Sequence, residues 1–147
     1  MEIEFQVIGI PKPQARPKVF HRTLKSGKPF IHTYSPKTDW FNLVYTKSLE
    51  IKENAKIRLS GALRLVLEFQ MPIPKSMSKK QRAKTFFVSK RPDLDNLIKG
   101  VMDAINQVGL WEDDSQVALL DASKVYGEEP KCIIKIIELE NKTNQSN

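Results

Sequence analysis

Apolar and polar residues alternate along several stretches of the chain, which predicts β-strands. The first stretch, residues 2–10, places Ile3, Phe5 and Val7 on one side and stops at Pro11. The second, residues 63–71, has an apolar residue at every odd position and is followed by two prolines. Two more predicted strands, near 117–126 and 131–140, are joined by a turn at 127–130. We expect these last two to form an antiparallel hairpin.

A helical period is clearest after Pro92. Its apolar positions recur at three- and four-residue intervals: Leu94, Leu97, Ile98, Val101, Met102, Ile105 and Val108. Gly109 stands where a helix ends in a left-handed residue. An earlier helix is predicted to open at Ser35 and Pro36 and to run to about Glu53, and residues 78–85 are predicted as a short basic helix.

The predicted order of elements is β-α-β-α-β-β, which indicates an α+β fold: one small domain with a small mixed sheet and helices packed on it. We expect this domain to span residues 1–140 and to be followed by a frayed tail, residues 141–147. Residues 11–35 are rich in proline and basic residues and are predicted as a long functional loop. No apolar run is long enough for a membrane span and no signal peptide is recognisable, so we expect a cytoplasmic protein without a membrane partner.

Charge is distributed in blocks. Residues 11–38 contain seven basic residues and no acid, residues 69–92 contain seven more and no acid, and residues 93–129 contain nine acids against two lysines. The net charge is +7. This pattern indicates a polyanionic partner and a protein that also holds cations, although each basic block alone is equally typical of a solvated loop. The candidate DNA-binding residues are Lys12, Arg16, Lys18, Arg22, Lys37, Lys90 and Arg91.

Asp93 and Asp95 are the strongest candidates for chemistry. If residues 93–95 are extended, both carboxylates lie on one side, and Asp95 or Asn96 caps the helix. Converging carboxylates repel each other unless a cation lies between them, and hard oxygen ligands suit Mg²⁺ or Mn²⁺. The alternative is that they only cap the helix, which one aspartate suffices to do.

Lys99 lies one helical turn after Asp95 and could stabilise the charge of a phosphate under attack. The alternative, slightly favoured by spacing alone, is an ordinary ion pair with Asp95 or Asp103. Further on, Glu112, Asp113 and Asp114 form a run of three acids before a strand. This run is either a polar turn or the source of a third carboxylate for a metal site.

The combined motifs RPDLDNLIK (residues 91–99) and GLWEDDSQV (residues 109–117) resemble the core of the RusA family of crossover-junction endodeoxyribonucleases. The close match covers about a fifth of the chain. The resemblance implies that Asp93, Asp95 and Asp114 are metal-binding catalytic carboxylates and that Lys99 is the catalytic lysine. Asp113 and Asn96 match with supporting roles. Pro92 departs from members that have a basic residue directly before the first aspartate.

The resemblance also implies Mg²⁺, with Mn²⁺ as a plausible substitute, and a homodimer that resolves Holliday junctions by paired symmetric nicks in DNA recombination and repair. A two-fold dimer suits a two-fold junction. Two alternatives stay open at this point. One is a non-catalytic nucleic-acid-binding module whose aspartates only cap a helix, and the other is a related nuclease for other branched DNA.

Overall fold

The computed structural model describes residues 1–14, 18–34 and 36–141. Six strands and three helices lie in these ranges. The strands are β1 (Glu2–Ile8), β2 (Lys18–Thr23), β3 (Pro29–Tyr34), β4 (Leu63–Pro72), β5 (Val117–Gly127) and β6 (Lys131–Glu138). The helices are α1 (Asp39–Ala55), α2 (Lys79–Lys84) and α3 (Leu94–Val108), and a 3₁₀ turn covers Asp114–Gln116.

Four strands form the main sheet in the order β1-β6-β4-β5. β6 pairs antiparallel with both β1 and β4, and β4 pairs parallel with β5. Alternate side chains of β4 and β6 point to one face, which is buried, while the opposite face is partly exposed. The prediction of a small α+β domain with a mixed sheet is therefore confirmed.

Helices α1 and α3 cover the buried face of this sheet and pack against each other. The predicted period of α3 is confirmed, because Leu97, Val101 and Ile105 are fully buried in the core. The helix ends as predicted at Gly109, whose φ of 77° is left-handed. Among the described residues, no helix has the length and apolar character needed to span a bilayer.

The predicted hairpin between the last two strands is wrong, because β4 lies between β5 and β6. Strands β4 and β6 bury every second side chain and therefore occupy the centre, whereas β5 exposes residues 118–121 and takes the edge. Three residues, 128–130, connect β5 to β6 across β4. The two strands on either side of β4 are about 10 Å apart, which is two strand spacings. The four Cα–Cα steps from Gly127 to Lys131 are long enough to span this distance.

The predicted loop at residues 11–35 is also wrong, since β2 and β3 form an antiparallel hairpin there. The tip is held by hydrogen bonds from the Leu24 and Gly27 N–H groups to the oxygens of Lys28 and Leu24, and Gly27 is left-handed with φ 78°. The two extra strands also change the predicted order, which becomes β-β-β-α-β-α-α-β-β. The abundance of proline and lysine concealed the strand-forming Val, Ile, Phe and Thr between them.

Helix α1 begins later than predicted. Thr38 is its N-cap and accepts a hydrogen bond from the Phe41 N–H at 3.0 Å. Pro36 precedes the helix instead of opening it, and Ser35 lies outside the described residues. The short basic helix is confirmed as α2, which Ser78 and Gln81 cap reciprocally.

Candidate active site

Asp93 and Asp95 lie at the exposed start of α3. Asp93 is the N-cap residue with extended backbone angles, but its side chain makes no capping hydrogen bond. Asp95 is already helical, and its Oδ1 accepts the Asn96 N–H at 3.0 Å. The expectation that Asp95 or Asn96 is the cap is therefore wrong. The helix starts directly after Asp93, because Leu94 is the first residue to pack on the core.

Neither carboxylate is neutralised by the part of the chain that the structure describes. Asp93 and Asp95 take part in no ion pair among the described residues. The same holds for Lys99, which is exposed one turn further along, so the i, i+4 ion pair considered above is not formed. Asp93, Asp95 and Lys99 thus lie at the exposed start of one helix, and none of them forms an ion pair with a described residue.

A basic groove adjoins this acidic pair. It has a volume of about 580 Å³ and is lined by residues 87–91, 93–94 and 122–124. Three cationic residues belong to it, Lys90, Arg91 and Lys124, with Asp93 at its end. Lys124 donates to the backbone oxygens of Lys90 and Pro92, the latter at 2.7 Å, and so attaches the segment before α3 to β5.

The chain that leads into the hairpin contacts α3 next to the acidic pair. The Gln14 side chain donates to Asp103 Oδ2 at 2.6 Å, and the Gln14 N–H lies 3.5 Å from the Asn96 oxygen. Lys12 forms an ion pair with Asp39 at 2.8 Å, and its hydrogen bond lowers the pKa of that carboxyl. These contacts hold residues 11–14 between the starts of α1 and α3.

The predicted DNA-binding residues divide between the hairpin, its base and the groove. Arg22 is exposed on β2, Lys37 lies 4.1 Å from the ring centre of Phe41 at the base, and Lys90 and Arg91 line the groove. Arg16 and the side chain of Lys18 lie outside the described residues. Among the described cations, Lys90 and Arg91 therefore share a groove with Asp93.

The acidic turn, residues 112–114, is held by its own local hydrogen bonds. The Gln116 side chain accepts the N–H groups of Glu112 and Asp113 at 2.8 and 2.9 Å. Ser115 donates its hydroxyl to Asp113, which lowers the pKa of the Asp113 carboxyl. Within the described residues, none of the three acids forms an ion pair with a lysine or arginine.

The acidic turn lies at the far end of α3 from Asp93. The start of α3 is beside Lys124, whose register partner on β4 is Phe69. The other end is beside the start of β4, where Leu59 N–H donates to the Leu110 oxygen at 2.8 Å. A helix of 15 residues is about 22 Å long, so Asp93 and Asp114 are on the order of 20 Å apart.

This separation determines whether one chain can bind a metal ion with all three carboxylates. A magnesium ion binds its ligands at about 2.0–2.1 Å, so carboxylates that share one ion must nearly touch. In the part of the chain that the structure describes, no three His, Cys, Asp or Glu side chains are arranged to hold a metal ion. The expectation that residues 93–95 are extended is wrong, since Asp95 is already helical. One chain places Asp93 and Asp95 at the start of α3 and Asp113 and Asp114 beyond its other end, and its described residues do not supply the three-carboxylate set that the resemblance implies.

Lys124 and Gln14 are contributors to this region that sequence reasoning missed. Neither belongs to a motif, and each acts through a contact more than 30 residues away in sequence. The hairpin did carry a signal, because residues 18–23 and 29–34 contain β-branched and aromatic residues around a Ser26-Gly27 turn. A hairpin was therefore predictable, whereas the two long-range contacts were not.

The fold is an α+β domain that carries a basic hairpin, a basic groove and an exposed acidic pair. Such basic surfaces favour binding of a polyanion. Comparison with known families identifies it further. The family model for "Endodeoxyribonuclease RusA" matches residues 9–137, and the chain belongs to this family. It is therefore a nuclease of a family that acts on Holliday junctions.

The chain is also similar to two individual proteins. The chain is 32% identical over 143 residues to a Bacillus subtilis (strain 168) protein described as "Uncharacterized protein YqaN", covering 93% of this chain and 96% of the relative. It is 43% identical over 49 residues to the "Crossover junction endodeoxyribonuclease rusA" of Lactococcus phage r1t. The second match covers 33% of this chain and 37% of the phage protein.

Proposed function

We propose that this protein resolves four-way DNA junctions in recombination and repair, as a homodimer that introduces paired symmetric nicks and depends on Mg²⁺ or Mn²⁺. The observation that carries the proposal is the start of α3, where Asp93 and Asp95 form no ion pair with any described residue and lie near Lys99 and a basic groove. The family match supports the class of reaction, and the exposed carboxylates and lysine support a location at the start of α3.

The metal requirement rests on electrostatics. A phosphodiester is an anion, and two exposed carboxylates repel it unless a cation lies between them. The basic groove that contains Asp93 and the basic hairpin favour binding of the DNA backbone, so the phosphate is drawn toward carboxylates that repel it. The magnesium dependence stays a prediction on this basis.

The basic residues bind and orient the DNA in this proposal. Lys90, Arg91 and the hairpin bind backbone phosphates by charge, which carries no base sequence information. Lys99 adds a positive charge one turn from Asp95, near the phosphate to be cut. The preference for branched DNA over linear duplex is taken from the family match.

The test is cleavage of a labelled four-way junction and of linear duplex, each with Mg²⁺ and with a chelator. We expect the wild type to cut the junction only with metal, and Asp93→Asn to bind it without cutting. Glu53→Gln, which neutralises an exposed acid on α1, is the matched control and should cut normally. Metal-independent cleavage, or full activity of Asp93→Asn, would contradict the proposal.

A non-catalytic binding module is the second candidate, and one observation favours it: the described part of a single chain holds no three-carboxylate cluster. The same assay separates the two candidates. If wild type and Asp93→Asn bind the junction equally and neither cuts any branched substrate, the aspartates serve only the helix terminus. Cleavage of flaps or forks but not of four-way junctions would instead assign the protein to other branched DNA.

A further inference from the structure

Two adjacent phenylalanines, Phe86 and Phe87, lie exposed beside the basic groove. Phe87 exposes 67% of its surface and Phe86 exposes 59%, more than any other phenylalanine that the structure describes. Three of the others, Phe5, Phe41 and Phe69, are buried in the core. A single exposed apolar residue is ordinary, but a contiguous apolar patch at a groove is typical of a binding surface.

The backbone that carries the two rings is held by the sheet. Val88 N–H donates to the Lys124 oxygen at 2.9 Å, and Tyr126 N–H donates to the Phe86 oxygen at the same distance. Residues 86–88 thereby pair antiparallel with the outer edge of β5. The two rings contact edge to face, with their centres 5.0 Å apart and their planes at 75°. Because the patch is ordered before any partner arrives, binding to it loses little conformational entropy.

The side chains next to the patch are those of a surface that binds nucleic acid. Phe87 lines the groove together with Lys90 and Arg91, and Asp93 lies at the end of the groove. Neither cation forms an ion pair among the described residues. Cationic side chains bind phosphates and aromatic rings stack on bases, so this combination fits a nucleic-acid strand better than an apolar partner.

The structure of DNA limits which bases can reach such a ring. Inside a duplex both faces of a base are covered by its stacked neighbours, and moving the base out costs unpairing and unstacking energy. This cost is lowest for a base that is already unpaired. At a branch point the continuous stack of the duplex is interrupted, so a base at the branch point is the one most readily presented to Phe87.

We propose that Phe87 is a stacking subsite for an unpaired nucleobase of the DNA strand whose backbone lies in the basic groove. This inference rests on the proposed function and deepens it, because it names the part of the substrate that distinguishes branched DNA from linear duplex. The subsite reads no base sequence, since every base has a face on which an aromatic ring can stack.

The first test measures binding without cleavage, in the presence of a chelator. The probes are a four-way junction and a linear duplex with the sequence of two of its arms. Phe87→Leu should bind the junction about tenfold more weakly than the wild type, because leucine is apolar but offers no ring on which a base can stack. Its affinity for the linear duplex should be unchanged, since no base is unstacked there. Phe87→Trp keeps an aromatic ring and should bind the junction as tightly as the wild type.

Ile8→Ala is the control for the loss of an exposed apolar side chain. Ile8 is 52% exposed on β1, at the opposite edge of the sheet, and its replacement should change neither affinity. Junction binding by Phe87→Leu at the wild-type level would overturn the subsite. So would an equal loss on junction and duplex, because a ring that stacks on an unpaired base does not contribute to duplex binding.

The second test uses the wild-type protein and locates the base. Junctions carry 5-iodouracil, which crosslinks under ultraviolet light to an aromatic side chain stacked on it, at one position near the branch point at a time. We expect Phe87 to be the crosslinked residue for at least one position, and the corresponding linear duplexes to give no crosslink there. Crosslinks that map only to other residues, or that form equally with linear duplex, contradict the proposal.

Sedimentation and cleavage separate the remaining outcomes. Phe87→Leu should sediment as the wild type does, whereas a smaller species would show that the ring contacts a second copy of the chain and would overturn the subsite. A wild type that cuts no DNA but binds junctions in a manner dependent on Phe87 would lose the proposed function and keep the subsite. Wild-type binding and cleavage of junctions by Phe87→Leu would keep the proposed function and exclude the subsite.

Discussion

The ammonium group of Lys124 lies 2.7 Å from the backbone oxygen of Pro92. This contact joins the edge strand of the sheet to the residue directly before the acidic pair, and the same ammonium also binds the oxygen of Lys90. Lys124 is thereby a positioning residue: it determines where α3 begins relative to β5, and so where Asp93 lies in the basic groove.

Replacing Lys124 by methionine tests this role. We expect the free energy of unfolding to fall by about 1–2 kcal/mol, because a half-buried ammonium loses two backbone acceptors. Junction cleavage should fall more than junction binding, because Asp93 loses its position while most basic residues remain. Urea unfolding and paired binding and cleavage assays measure these effects. Lys135→Met, which removes an exposed ion pair with Glu2, should change stability by less than about 1 kcal/mol.

Lys99→Gln tests the catalytic role assigned by resemblance. Lys99 forms no ion pair among the described residues and is exposed, so unfolding should change by less than about 0.5 kcal/mol. The cleavage rate at saturating enzyme should fall by about 10²-fold or more, since a charge that stabilises the transition state is removed. Lys99→Arg keeps the charge and should recover part of the rate. A stability loss that parallels the rate loss would indicate a structural role instead.

The hairpin is predicted to act on binding alone. Replacing Arg22 and Lys28 together by glutamine should leave the melting temperature unchanged, because both residues are exposed on an element paired only within itself. The dependence of log binding constant on log salt should become shallower by about 0.9 for each phosphate that the variant no longer binds. Lys47→Gln on α1 is the control. An unchanged salt dependence would show that the hairpin does not bind the DNA backbone.

Cys132 predicts a particular dependence of stability on pH. Burial, with a smaller contribution from Glu68, raises the pKa of its thiol. The unfolded thiol ionises near its ordinary value of 9.0, so the wild type should lose stability relative to Cys132→Val as pH rises above that value and not below it. Urea unfolding of both proteins between pH 7 and 10 measures the difference. A difference that does not change with pH would contradict the prediction.

Local patterns predicted most of the individual elements. The apolar period of α3 and the left-handed Gly109 fixed that helix almost to the residue, and alternation located β4. The order of the strands in the sheet was not predictable in the same way. The neighbours of a strand depend on which strands bury the most apolar surface and therefore lie at the centre. β4 and β6 do so, and β4 therefore separates β5 from the strand that follows it in sequence.

The candidate site was likewise predicted only in part. The motif located Asp93, Asp95 and Lys99 on one exposed helix start, since all three lie within two helical turns. It did not reveal that Asp114 stays at the opposite end of α3, because the helix length leaves open whether the turn that follows folds back toward the helix start. The contact of Lys124 with Pro92 depends on how α3 packs against β5, and the sequence pattern does not predict that packing.

The most direct measurement of the central claim is a map of the cuts made in a four-way junction labelled in turn on each strand. The proposed function predicts nicks at symmetric positions in two opposing strands, made with Mg²⁺ present, and duplex products that DNA ligase seals. Cuts in a single strand, at unrelated positions, or equally frequent in linear duplex would contradict it.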